Sequence, residues 1–250
     1  MKMRNLFGKI YHKIQKFFSV KKITWMTVIL FVLLLIPICY LSFVNRASGD
    51  DYGYGAYTRV AFMHTHSLIE VWKAILKTIK QYYYGWQGTW FSIFLFSLQP
   101  EVFSDDAYVI TAFMMLFLWI GSTIVLFKEI LIHQIKLPKG SFWLITLLFL
   151  IIAIQYVPST KSAIFWYNGC AHYLIPFAMG QFLIYLLLRF KDTYKKQFFV
   201  WICVFMTLLG GSNYQAALFS LIVAVYVGVD DYVKKKDKHI LLLCLPIIFE

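Results

Sequence analysis

The chain has 250 residues, of which 60% are apolar and 14% are charged. Soluble domains average about 45–50% apolar and about 25% charged residues, so this composition excludes a disordered chain and argues against an ordinary soluble domain. The net charge of +12 arises from 24 basic and 12 acidic residues. In a membrane protein the position of each basic residue is more informative than the sum, so we do not interpret the charge as a sign of nucleic-acid binding.

The chain begins with a basic amphipathic segment and continues into an apolar run. Residues 1–22 carry Leu6, Ile10 and Ile14 at helical spacing among basic residues, which predicts a helix on the membrane surface. Residues 23–44 are long enough to cross a hydrocarbon core of about 30 Å. A cleaved signal peptide is the alternative, but the apolar run is too long for one and no small-residue cleavage site follows it.

Further apolar segments predict an all-α, polytopic integral membrane helix bundle over residues 23–250. Spans are expected at 23–44, 107–127, 141–158, 173–190, 198–212 and 216–232. A final run at 240–250 would reach only about half of the hydrocarbon core at about 1.5 Å per residue. We therefore expect an incomplete seventh span and a chain that is part of a longer protein.

The lysines and arginines predict the orientation of these spans. With the N-terminus in the cytoplasm, the segments 1–22, 128–140, 189–197 and 233–239 face inside and hold 18 of the 24 basic residues. Cytoplasmic loops of membrane proteins carry such an excess. The sequence thus predicts a multi-pass protein of the cell membrane with a cytoplasmic N-terminus and a long extracytoplasmic loop at 45–106.

This outer loop is predicted to contain amphipathic surface helices. The segment VWKAILKTIKQYYYGW places apolar residues on one helical face and lysines on the other. These residues are Val71, Ile75 and Ile79, and Lys73, Lys77 and Lys80. The segment TWFSIFLFSLQP is apolar but too short to span, and we expect a short re-entrant or half-buried helix that stops at Pro100.

The strongest candidate site is the segment SGDDYGYGAYTR at residues 48–59. Its adjacent carboxylates, Asp50 and Asp51, suit a general base or a pair of ligands for a divalent cation such as Mg²⁺ or Mn²⁺. A purely structural alternative is that Ser48 or Asp50 caps the following helix. Arg59, about two helical turns later, suits binding of a phosphate or pairing with Asp51.

Three more polar segments fall on the predicted outer face. YYYGWQGTW (82–90) suits stacking on sugar rings or an aromatic belt at the membrane interface; its candidates are Tyr84, Trp86 and Gln87. TKSAIFWYNGCAHYLIP (160–176) contains a predicted Asn-Gly turn; its candidates are Lys161, Trp166, Asn168 and His172. GGSNYQAA (210–217) suits a polar cavity or small-residue helix packing; its candidates are Asn213, Tyr214 and Gln215. One shared cavity would explain all four segments.

A first span followed by an outward acidic pair in a long loop with surface helices resembles the GT-C superfamily of polytopic glycosyltransferases. The ordered motifs GDDYGY, YYYGWQGTW, FWYNGCAHYLIP and GGSNYQ are similar to an uncharacterised bacterial membrane-protein family related to that superfamily. The resemblance implies a polyprenyl-phosphate-linked sugar as donor and a cell-surface glycan or lipid as acceptor. It also implies that an acidic residue of the first outer loop, here Asp51 or Asp50, acts as base or metal ligand.

The hypothesis that follows is an inverting glycosyl transfer with Asp51 as the base. Arg59, Lys161 or His172 would stabilise the departing phosphate. The sugar and acceptor would contact Tyr84, Trp86, Gln87, Trp166, Asn168, Asn213, Tyr214 and Gln215. The alternatives are a transporter or flippase for lipid-linked glycans and a non-catalytic membrane partner protein. Transport predicts charged residues in the middle of the spans, and the predicted spans are nearly free of charge.

Overall fold

The computed structural model describes residues 19–235, 238–243 and 245–246, and every regular element within these ranges is helical. The prediction of an all-α chain is therefore confirmed. Residues 1–18 of the amphipathic helix predicted at 1–22 lie outside the described residues. The final apolar run at 240–250 is described only in part.

Nine α-helices follow one another in the described part of the chain. They are α1 (Val20–Ser42), α2 (Asp51–Thr65), α3 (Leu68–Gly85), α4 (Trp90–Phe96), α5 (Ile110–Phe127), α6 (Lys139–Gln155), α7 (Tyr167–Thr193), α8 (Lys196–Gly210) and α9 (Tyr214–Lys235). The 3-10 turns are Pro100–Val102, Asp105–Val109 and Lys238–Leu243, and the π-helical turns are Lys128–Gln134 and Lys161–Phe165.

Four helical segments are long and apolar enough to cross a membrane. They are Val20–Ser42, Asp105–Gln134, Tyr167–Thr193 and Tyr214–Lys235. The chain is thus a membrane protein by the length and composition of its helices, and the cytoplasmic position of its N-terminus stays a prediction from charge.

The predicted spans at 141–158 and 198–212 are helical but short. Helix α6 has 17 residues and helix α8 has 15. At about 1.5 Å per residue these helices are about 26 Å and about 22 Å long, less than the hydrocarbon core of about 30 Å.

The chain divides into two compact units. The first comprises Met1–Ile38 and Phe127–Val157, which include most of α1 and all of α6. The second comprises Cys39–Leu126 and Pro158–Glu250, which include residues 45–106 and helices α7 to α9.

In the first unit, α1 and α6 run in the same direction. Near the start of both helices, the Thr24 hydroxyl donates to the carbonyl oxygen of Gly140 at 3.4 Å. Further along both helices, the Gln155 side-chain amide donates to the carbonyl oxygen of Leu34 at 3.2 Å. These two contacts, one near each end, make α1 and α6 parallel neighbours.

In the second unit, residues 51–96 are mostly helical, as the sequence pattern predicts. Helix α3 buries Val71 and Ile75 and exposes its lysines, because apolar residues recur on one face at a period close to 3.6. Helix α4 is short and mostly buried. It ends at Phe96, and Pro100 opens the next 3-10 turn, so the proline follows the helix at a distance and does not stop it directly.

Helices α7, α8 and α9 share the main apolar core of the second unit. Leu183, Leu187, Ile202 and Met206 are fully buried in it. The starts of α7 and α9 are joined by a hydrogen bond, and their ends are joined by an ion pair of 2.7 Å between Lys191 and Asp230. Helices α7 and α9 are therefore parallel, and α8 returns between them.

Candidate functional site

Asp51 lies in the first turn of α2 and is fully buried. One carboxylate oxygen accepts hydrogen bonds from the Tyr108 hydroxyl at 2.5 Å and the Ser48 N–H at 3.1 Å, and the other accepts one from the Asn168 N–H at 3.1 Å. Burial raises the pKa of the Asp51 carboxyl above its usual range, and the three donors offset that rise only in part. The Asp51 side chain is therefore enclosed, with most of its accepting capacity in use.

Tyr108 is the residue of this site that sequence analysis missed. Its hydroxyl donates to Asp51 and accepts the Tyr167 N–H at 2.9 Å. Tyr167 and Asn168 are the first two residues of α7, and the first N–H groups of a helix have no partner within it. Asp51 and Tyr108 thus cap α7 together. A polar hydroxyl at the edge of the apolar run predicted at 107–127 is the only sequence signal of this role.

The cap corrects two predictions about local structure. The predicted Asn-Gly turn is wrong, because Asn168 and Gly169 lie within the first turn of α7. A cap of α2 by the side chain of Ser48 or Asp50 is also wrong, because Asp50 makes no side-chain cap bond. Instead, the Asp51 carboxylate reaches back to the Ser48 backbone, across a turn in which Gly49 takes a φ of 60°.

Asp50 is the accessible member of the acidic pair. Its residue is exposed, and its negative charge contributes to a raised pKa of the Tyr54 hydroxyl, after burial and the nearby Tyr82 hydroxyl. The Tyr54 and Tyr82 rings lie 4.3 Å apart between centroids. The Tyr54 N–H donates to the carbonyl oxygen of Asp50 at 3.1 Å, so the exposed residue Asp50 stands one helical turn before this pair of aromatic rings.

Arg59 binds acidic groups other than Asp51. It makes an ion pair of 2.5 Å with Asp105, and it donates to the carbonyl oxygen of Glu101 at 2.6 Å. The expected alternative of an Arg59–Asp51 pair is not formed. Arg59, Asp51, Glu101 and Gln99 line a pocket of about 30 Å³, enough for about two water molecules.

Several buried polar groups near Asp51 have unmet hydrogen-bonding capacity. Within the described residues, Thr58 Oγ1, Gln99 Oε1 and both polar side-chain atoms of Asn168 have no hydrogen-bond partner. The Gln99 amide donates to the carbonyl oxygen of Asp51, and a Cβ at Gly55 would overlap the Gln99 side chain. Most buried polar groups in proteins are paired, and these four atoms are exceptions.

Among the four polar segments predicted from the sequence, the aromatic segment at 82–90 is the most exposed. Tyr84 is 81% exposed and Trp86 is 75% exposed, and Gln87 is half-buried beside them. These rings are free to stack on a sugar or to lie at the membrane interface, so both alternatives from the sequence stay open.

The other two segments meet around His172. Its ring Nδ1 lies 3.0 Å from the Ser92 hydroxyl, and its carbonyl oxygen accepts a hydrogen bond from the Asn213 side chain. The Phe96 ring lies 5.8 Å from the His172 ring and 4.9 Å from the Tyr54 ring. Side-chain contacts therefore lead from the acidic segment to the start of α7 and the turn before α9.

The same turn is joined to the start of α4. The Phe91 N–H donates to the carbonyl oxygen of Gly211 at 2.7 Å, and the Trp90 indole lies against Gly211 so closely that a Cβ would overlap it. All four polar segments predicted from the sequence thus belong to one network of contacts in the second unit.

The candidate residues differ in how accessible they are. Asp51, Asn168 and Asn213 are buried, and His172 and Trp166 are partly buried. The remaining exposed candidates are Lys161, Tyr214 and Gln215. The network consequently has buried members that hold the helices together and exposed members that are accessible from outside the protein.

Hydrogen-bond donors surround the Asp51 member of the acidic pair. Among the described residues no group of three or more His, Cys, Asp or Glu side chains comes together as metal ligands. The Asp51 oxygens face N–H and O–H donors, an environment that stabilises a carboxylate by hydrogen bonds. A requirement for Mg²⁺ or Mn²⁺ stays a prediction from the sequence.

Comparison with protein-family models, with characterised proteins and with solved structures finds no match to this chain.

Proposed function

We propose that the protein is a membrane glycosyltransferase, which moves a sugar from a polyprenyl-phosphate donor to a cell-surface glycan or lipid acceptor. One observation carries the proposal: the exposed residue Asp50 stands one helical turn before Tyr54, whose ring packs on the Tyr82 ring, and Arg59 follows further along the same helix. A carboxylate can accept the acceptor's proton, aromatic faces can contact a sugar ring, and a guanidinium can bind a phosphate.

Asp50 replaces Asp51 as our candidate for the base. A base must come within hydrogen-bond reach of the proton that it removes. Asp51 has no exposed surface and already accepts three hydrogen bonds, whereas Asp50 is exposed. We assign Asp51 a positioning role, because it fixes the start of α2 against the start of α7.

In the proposed reaction, Asp50 accepts the proton of an acceptor hydroxyl as that oxygen attacks the anomeric carbon. The new bond joins the acceptor oxygen to the anomeric carbon, and the bond from that carbon to the donor phosphate breaks. Polyprenyl phosphate leaves with the electron pair of the broken bond. A single displacement inverts the configuration and needs one carboxylate base.

Arg59 is our first candidate for binding the departing phosphate, with Lys161 and His172 as further candidates. The Asp105 side chain that holds Arg59 is 77% exposed, and ion pairs between exposed groups contribute about 0–1 kcal/mol. A phosphate can therefore displace Asp105 from Nη2 of Arg59, while Nη1 keeps its hydrogen bond to the Glu101 carbonyl oxygen.

The test uses the full chain in lipid vesicles with radiolabelled polyprenyl-phosphate hexoses as donor probes. Membranes of the expressing cell supply acceptors. The wild type is expected to transfer label, and Asp50→Asn is expected to lower the rate by about 10²–10⁴, the usual contribution of a general base. Asp106→Asn, which removes another exposed acid of the outer loop, is the matched control and keeps the wild-type rate.

Two results would contradict the proposal. Absence of label transfer by the wild type with every hexose donor would remove the glycosyltransferase assignment. Equal rates for Asp50→Asn and the Asp106→Asn control would keep the activity but remove Asp50 as its base.

A further inference from the structure

A large groove lies in the first unit, between the starts of α1 and α6. Its volume is about 780 Å³, within the range of about 300–1,000 Å³ that is typical of ligand pockets. The lining is almost wholly apolar and includes Val28, Trp25 and Trp143. Trp25 is 61% exposed and Trp143 is 43% exposed, so the groove is open to an apolar ligand.

The two helices meet closely at one edge of the groove. Gly140 has no side chain, and a Cβ at this position would lie 3.3 Å from the Val20 side chain. The Thr24 hydroxyl also donates to the carbonyl oxygen of Gly140. The walls of the groove are therefore fixed by packing between helices.

Basic side chains stand at the same end of both helices. Lys21 lines the groove, and Lys139 is the first residue of α6. Both lysines are exposed. An apolar groove alone would not distinguish one membrane lipid from another, since every lipid has an apolar tail. A cation at its mouth favours a ligand with a negatively charged head and a hydrocarbon tail.

We infer that this groove binds one anionic phospholipid. An acyl chain lies against Trp25 and Trp143, and the phosphate lies near Lys21 and Lys139. The inference depends on the first unit alone and is independent of the glycosyltransferase proposal. Each lysine near an anionic lipid contributes about fivefold in affinity, so the pair gives a preference of about 25-fold over a zwitterionic lipid.

The test measures quenching of tryptophan fluorescence by brominated lipids. The full chain is placed in phosphatidylcholine vesicles that contain a small, increasing fraction of phosphatidylglycerol with brominated acyl chains. Brominated phosphatidylcholine serves as the zwitterionic probe. We expect the anionic probe to quench the fluorescence at a much lower mole fraction than the zwitterionic probe. In the double variant Trp25→Phe/Trp143→Phe, this quenching at low mole fraction should disappear.

The double variant Lys21→Gln/Lys139→Gln is expected to lower the preference for phosphatidylglycerol about 25-fold. The double variant Lys77→Gln/Lys80→Gln, on the exposed face of α3, removes the same charge elsewhere and leaves the preference unchanged. Equal quenching by the two probes would overturn the inference. So would anionic quenching that is retained without Trp25 and Trp143, or that is insensitive to the Lys21→Gln/Lys139→Gln change.

Discussion

The shared cap of α7 makes Tyr108→Phe the most informative single change. Phenylalanine keeps the ring and creates no cavity, so the variant removes only the hydroxyl. That hydroxyl donates to the Asp51 carboxylate at 2.5 Å and accepts the Tyr167 N–H at 2.9 Å. A hydrogen bond to a charged group contributes about 1.5–3 kcal/mol, and a buried N–H left unpaired costs about 1–3 kcal/mol.

The two bonds share one hydroxyl and polarise each other, so the sum is not strictly additive. We expect a loss of about 3 kcal/mol in the free energy of unfolding. For a chain of this size that lowers the unfolding temperature by about 6–12 °C, measured on the detergent-solubilised protein. Tyr156→Phe, at a residue that is 80% exposed, is the matched control. If Tyr108→Phe unfolds within about 2 °C of that control, the cap does not stabilise the fold as argued here.

Three further changes test other parts of the network. The pKa of the Asp51 carboxyl is raised in the folded protein above its usual value of 3.8. The protonated carboxyl therefore stabilises the folded state fully below pH 3.8, and this stabilisation is lost as the pH rises through the folded pKa. The unfolding temperature of the wild type should therefore fall over this window more steeply than that of Asp51→Asn; parallel curves would contradict the shift. Gly211→Ala should lower the free energy of unfolding by about 1–3 kcal/mol, because the added Cβ overlaps the Trp90 indole. The control Gly121→Ala has open space around the added Cβ and should leave the free energy of unfolding unchanged. Equal melting curves for the two variants would argue against the close contact of Gly211 with Trp90. Asn213→Ala removes both the side-chain cap of α9 and the hydrogen bond to α7. It should lower the free energy of unfolding by about 1–2 kcal/mol, measured by denaturation in mixed micelles. An unchanged denaturation midpoint would contradict the role of Asn213 in joining the two helices.

The helices that depend on local pattern could be predicted from the sequence. Helix α3 follows from apolar residues at helical spacing, and the candidate spans follow from long apolar runs. The start of α7 could not be predicted in this way. It begins at Tyr167, six residues before the expected span, because its first N–H groups bind Asp51 and Tyr108, which are 117 and 59 residues away in sequence.

In the candidate site, too, the sequence predicts the local features but not the contacts between distant residues. The acidic pair and the four polar segments are visible in the sequence, and the structure brings the segments into contact. The different environments of Asp50 and Asp51 are not visible, because the two residues are identical and adjacent. Their difference arises from donors on α7 and on the turn before α5, which surround only Asp51.

We propose that this chain transfers a sugar from a lipid-phosphate donor. The most direct measurement is the stoichiometry of transfer by the wild type in vesicles, with polyprenyl-phosphate hexose labelled in both its sugar and its lipid. The account predicts that each sugar joined to an acceptor is matched by one released polyprenyl phosphate, with inverted configuration at the anomeric carbon. Label that stays on the donor at the level of vesicles without the protein would contradict it.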